Sequence, residues 1–106
     1  MENLIQNYID SNSKAWSEST LRSERYRLLG MKDALTGNPE TLWAHLEKSG
    51  AKPYARVTAW TRTVQFWDWL LDEGHKQGSN PYRKWRKKHA RLFKNAYERR
   101  QPEVSY

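Results

Sequence analysis

"FWDWLLDEGHKQGSNPYRKW" (residues 66–85) is the stretch whose reading decides the fold. Three aromatic residues and two leucines crowd around Asp68. The chain then passes through Gly74, Gly78 and Ser79 to Asn80-Pro81 and enters a run of cations. The first part reads as the end of a helix that is apolar nearly all round, and such a helix must be covered by other elements. Gly74 is a helix stop. Asn80-Pro81 is a helix start, with Asn capping and Pro at the first helical position, where its missing N–H costs nothing. A buried helix therefore leads directly into a basic one.

Upstream, the buried helix begins near Pro53 and runs to Gly74, roughly 30 Å at 1.5 Å per residue. Val57, Trp60, Val64, Trp67 and Leu71 recur at helical spacing as its core stripe, and Phe66, Trp69 and Leu70 add a second apolar face. Arg56, Thr58, Arg62 and Gln65 read as its polar side. A third helix, "NPETLWAHLEKSG", starts with the same Asn-Pro device at Asn38-Pro39 and stops at Gly50. Its buried face is Leu42, Trp43 and Leu46. A second helix opens at "WSESTL". Ser17 is the N-cap, Glu18 suits the positive helix end, and Trp16 and Leu21 occupy the two staple positions. The periodicity carries this helix through Leu28, Met31 and Leu35, with Gly30 as a weak point. A first short helix over residues 2–12 places Leu4, Ile5, Tyr8 and Ile9 together.

Downstream, Asn80-Pro81 leads a fifth helix that puts Trp85, His89, Leu92, Ala96 and Tyr97 on one face and ends at Pro102. No alternating pattern marks a strand before the last few residues. The expectation is an all-α fold, a small orthogonal bundle of four to five helices. One domain fits the length, 106 residues. Six Trp, six Tyr and two Phe supply the buried area for a small core.

Charge is distributed unevenly. Residues 1–50 carry six Lys/Arg and seven Asp/Glu; residues 51–106 carry thirteen and five. The first half is thus −1 and the second +8, which points to a polyanionic partner, most often nucleic acid. There is no Cys, which excludes disulfides and thiol chemistry and fits a reducing compartment. The N-terminal residues lack the cations and apolar run of a signal peptide, and no apolar run is long enough to span a bilayer. The expectation is a cytoplasmic chain with no membrane association. His45, His75 and His89 have no ligand spacing, Asp72 and Glu73 are adjacent and diverge on a helix, and no phosphate loop or nucleophile–base pattern occurs. No metal, no cofactor and no catalytic residue is expected.

The order of motifs resembles the core-binding domain of tyrosine recombinases and phage-type integrases. "WSESTLRSER" is similar to that family's second-helix opening. "TVQFWDWLLDEGHKQGSNPYRKW" is similar to its aromatic helix end, Gly turn and Asn-Pro start. The likeness covers roughly residues 1–90. It departs at Glu24, where the family usually has an aromatic residue, and in the length and charge of the last basic helix. The resemblance implies a SAM-like domain over residues 1–100 that clamps one face of double-stranded DNA; the isolated domain is expected to be a monomer. Residues 101–106 would begin a linker to an absent C-terminal catalytic domain that supplies strand cleavage. It implies DNA contacts from Ser17, Thr20, Arg22 and Arg25 of the second helix and from Lys52, Arg56, Arg62 and Gln65 of the fourth. The basic helix adds Lys84, Lys87, Lys88 and Arg91 by charge. The alternative from composition is a helical protein-interaction module whose basic helix binds an acidic partner.

Overall fold

The computed structural model describes residues 1–94. Its helices are α1 (Glu2–Ser11), α2 (Glu18–Gly30), α3 (Pro39–Lys48), α4 (Pro53–Asp72) and α5 (Pro81–Lys88), with a 3₁₀ turn at Lys32–Ala34 between α2 and α3. No strand occurs among the described residues. The all-α reading holds, and so do the caps. Ser17 accepts from the Thr20 N–H, Asn38 from the Glu40 N–H, and Asn80 from the N–H groups of Tyr82 and Arg83.

α4 is the central element and packs against α1, α2, α3 and α5. Its Val57, Trp60, Thr63, Val64, Phe66, Trp67 and Leu70 are buried. Leu71, expected in the main stripe, is only half-buried, because α4 directs Phe66 and Leu70 inward at its C-terminal end. Two aromatic clusters flank α4. On one side Tyr8 meets Phe66, Trp69 and Trp16 at 5.2, 5.5 and 5.7 Å between ring centroids. On the other, Trp60 meets Trp85, Tyr82 and Trp43 at 4.9, 5.6 and 5.9 Å. Each such pair contributes about 0.5–1.5 kcal/mol beyond area burial. Burial, with the Glu24 carboxylate nearby, pushes the Tyr8 hydroxyl up to about 12.

Two expectations need correction. The second helix does not run on to Leu35. It ends at Gly30, and the chain tightens into the 3₁₀ turn, whose Ala34 N–H donates to the Met31 carbonyl at 2.8 Å. That turn packs against α2 and α3 and buries Met31, Ala34 and Leu35. Gly30 is the weak residue at which the change occurs.

The fifth helix is also not continuous. α5 ends at Lys88, His89 is its C-cap, and a helix resumes over residues 90–94. The His89 ring stacks on Trp85 with centroids 3.9 Å apart, and its Nδ1 lies 2.9 Å from the Trp85 carbonyl oxygen. The break re-aims the chain. Phe93 is buried against Trp43 and Trp60, whereas Leu92 and His89, expected on the apolar face, are exposed. Ala96, Tyr97, the stop at Pro102 and the linker at 101–106 lie outside the described residues.

Gly37 shows how closely α5 is locked to the bundle. It has φ +93°, and a Cβ there would lie 3.5 Å from the Trp67 ring. Its N–H donates to the Tyr82 hydroxyl at 2.9 Å, while Trp60 Nε1 donates to the Tyr82 carbonyl at 2.9 Å.

Candidate nucleic-acid interface

Between residues 81 and 94 the chain carries seven cations and no carboxylate: Arg83, Lys84, Arg86, Lys87, Lys88, Arg91 and Lys94. Five of them, Arg83 to Lys88, stand on α5, which is firmly seated. Asn80, 5% exposed, donates through Nδ2 to the Val64 carbonyl and to Asp68 Oδ1, both at 2.9 Å, while its Oδ1 caps α5. Tyr82 is fully buried below the first turn, and Trp85 packs on the core at the next. The cations are therefore carried on a rod fixed at its base, so ordering them against an anion costs little further backbone entropy.

Arg83, Arg86, Lys87 and Lys94 surround a hollow of about 550 Å³ with Phe93 and Ala90 between them. Arg86 is held in place by its Nη1 donation to Thr61 Oγ1 at 3.0 Å and by its position 5.1 Å over the Phe93 ring. Arg83 pairs with Asp68. Lys84, Lys88 and Arg91 are exposed beside this hollow. Of the residues nominated from sequence on α5, only Lys87 lines it. Arg83 and Arg86 were not among them, although their three- and four-residue spacing to Lys87 and Ala90 puts them on one helical face.

The residues nominated on α4 do not share one side. Positions 56 and 65 are nine apart, which at about 100° per residue places them on opposite faces. This corrects the single polar side expected from sequence. Arg56 turns toward α3, with its guanidinium 5.8 Å from the Trp43 ring and its Nε donating to the Ala51 carbonyl at 3.0 Å. Lys52, exposed at the N-cap of α4, is one turn before it. Arg62 lies on another side and is largely buried, with its Nε bonded to Glu24 of α2. Gln65 is exposed one turn further on.

On α2 the nominated residues also diverge. Ser17 is used as a cap and donates to Thr20 Oγ1 at 2.9 Å, and Thr20 is exposed. Arg22 forms an exposed pair with Glu18 at 3.5 Å. Arg25 turns to α1, where its Nε donates to Gln6 Oε1 at 2.7 Å. The residue here that sequence reading missed is Arg27. It lines a groove together with Arg62.

Among the described residues no group of three His, Asp or Glu is placed to hold a metal ion, and no helix is long and apolar enough to cross a membrane. No family model, no curated protein and no solved structure matches the chain.

Proposed function

We propose that this chain binds double-stranded DNA through the cation-bearing face of α5, as a core-binding domain of the tyrosine recombinase or phage-type integrase kind. One observation carries the reading: seven cations without a carboxylate over residues 81–94, five of them on α5, whose base is fixed to an aromatic core. Phosphate neutralisation releases condensed counterions, so a rigid row of Lys and Arg binds the backbone without reading sequence. The part played is positional. Strand cleavage belongs to a separate C-terminal catalytic domain of the kind the family resemblance implies, and the site of action is the cytoplasm. The order of the Ser-Thr helix opening, the aromatic helix end and the Asn-Pro start supports the family.

The test is a fluorescence anisotropy titration against a short labelled duplex at two salt concentrations, with heparin as a second polyanion. The expected result is duplex binding in preference to heparin that survives moderate salt. It should be abolished by the combined changes Lys84→Glu, Lys87→Glu and Lys88→Glu with the melting temperature retained. Equal binding to duplex and heparin would overturn the reading in favour of a general acidic-partner surface.

A further inference from the structure

The hollow beside α5 holds one cation that is fixed before any ligand arrives. Arg86 donates from Nη1 to Thr61 Oγ1 of α4 at 3.0 Å, and its guanidinium lies 5.1 Å from the centroid of the Phe93 ring. The side chain is half-buried, and no carboxylate among the described residues pairs with it. Its Nε and Nη2 have no partner among the described residues, and neither is enclosed. Those N–H groups are left for the hollow of about 550 Å³ that Arg86 lines. Lys87, the next residue, is exposed, lines the same hollow and likewise pairs with no carboxylate among the described residues. Arg83 stands at the rim, but Asp68 already meets its charge. No carboxylate lines the hollow.

An arginine held at two points has already lost the side-chain freedom that an exposed one gives up on binding. A guanidinium with open N–H groups matches two oxygens of one acceptor, and an ammonium beside it adds a point charge. A planar carboxylate presents both its oxygens to the fork. A phosphoryl group carries four oxygens around one centre, so it can meet the fork and Lys87 from different sides. We propose that the hollow between α5 and residues 90–94 is a phosphate seat, in which Arg86 is the fixed fork and Lys87 the second charge. Ala90, exposed between the cations, leaves room for what the phosphate is esterified to. The assignment deepens the duplex reading and rests on it only for the source of the phosphate: a backbone diester and a free phosphate would use the same groups.

The experiment follows the Arg86 Nε–H and the backbone amides of the full chain by nitrogen-15 NMR. The first probe is inorganic phosphate, against chloride at constant ionic strength; the second is a short duplex. Phosphate should give saturable shifts at Arg86 and Lys87 that chloride does not. The duplex should shift the same signals and displace phosphate. Arg86→Lys keeps the charge and loses the fork, so it should weaken phosphate about tenfold, as for one lost hydrogen bond to a charged group. Thr61→Val should weaken it less, and should change nothing further in an Arg86→Gln background, since Thr61 acts by holding Arg86. Lys14, exposed in the turn after α1, is the control: Lys14→Gln removes a charge elsewhere and should leave affinity unchanged. Melting curves verify that each variant is folded. Phosphate shifts at Arg86 with duplex shifts elsewhere would keep the seat and take the duplex off α5. Duplex shifts at Arg86 without phosphate binding would make the ligand a backbone diester. No saturable shift at Arg86 with either probe, or an equal loss in Lys14→Gln and Arg86→Lys, would overturn the proposal.

Discussion

Glu24 of α2 accepts a hydrogen bond from Arg62 of α4, and the pair joins the two helices in a largely enclosed setting, with side chains 11% and 21% exposed. Glu24 also stands at the position where the resembling family usually carries an aromatic residue. The charge of Arg62 is therefore engaged inside the bundle rather than offered outward. Removing one member leaves the other as a poorly solvated charge. Glu24→Ala should cost about 3 kcal/mol, the lower end for breaking a buried pair. Replacing both members with apolar residues of similar volume, Glu24→Leu with Arg62→Met, should return stability close to that of the parent. Urea unfolding of the parent and these variants measures this. A double variant as unstable as Glu24→Ala alone would show that the unpaired charge is not the cause.

Asn80 makes a sharper distinction. It caps α5 with its oxygen and donates with its nitrogen to Val64 and Asp68 of α4. Asp is as good a cap as Asn. It has nothing to donate, however, and would set a second carboxylate against Asp68. Asn80→Asp should thus be more destabilising than Asn80→Ala at neutral pH, by about 3 kcal/mol relative to the parent. Its deficit should shrink on acidification, as one carboxyl takes up a proton. If Asn80→Asp proves the more stable of the two, the capping role alone accounts for this residue.

The capping chemistry was legible in the sequence because it is local. Asn38-Pro39 and Asn80-Pro81 each supply a cap and a first helical residue from neighbouring positions, and Gly74 follows the end of α4 with φ +78°. The central stripe of α4 was equally legible from its spacing. The two breaks were not. Gly30 is tolerated inside many helices, and only the packing of Ala34 and Leu35 against other elements makes the turn favourable there. Nothing local marks His89 as a break. Its ring rests on Trp85, and the turn is stabilised only because Phe93 then reaches Trp43. The same limit applied to the basic residues. Composition located the cations, but their direction depends on partners distant in sequence, such as Glu24 for Arg62 and Trp43 for Arg56.

Stability should fall in strong alkali for an identifiable reason. Burial raises the Tyr8 hydroxyl from 10.0 to about 12, and burial likewise raises Tyr82, partly offset by the N–H of Gly37. Both groups stay protonated in the folded chain where the unfolded chain has already ionised. Between about pH 10 and 12 the unfolded state therefore binds fewer protons, and stability declines as pH rises. Below pH 10 their contribution is fully present. Tyr8→Phe should flatten the alkaline limb of a plot of unfolding free energy against pH while leaving the neutral region nearly level. An alkaline limb of unchanged steepness in Tyr8→Phe would assign the loss to other groups.

The salt dependence of duplex binding can separate the basic surfaces from one another. Removing a cation that neutralises one phosphate should reduce the slope of log K against log salt by about 0.9. Lys84, Lys88 and Arg91 are exposed on or just beyond the fixed helix α5, so Ala at all three should lower the slope by about 2.7 if each meets a phosphate. Arg22 and Arg25 are already engaged, one with Glu18 and the other with Gln6 of α1. Ala at both should change the slope little, although it removes two positive charges from the chain. A net-charge effect would instead scale with the number of cations removed, wherever they stand. Anisotropy titrations over a range of salt concentrations distinguish the two. If the Arg22, Arg25 pair lowers the slope as much per residue as the α5 set does, the duplex is not seated on α5.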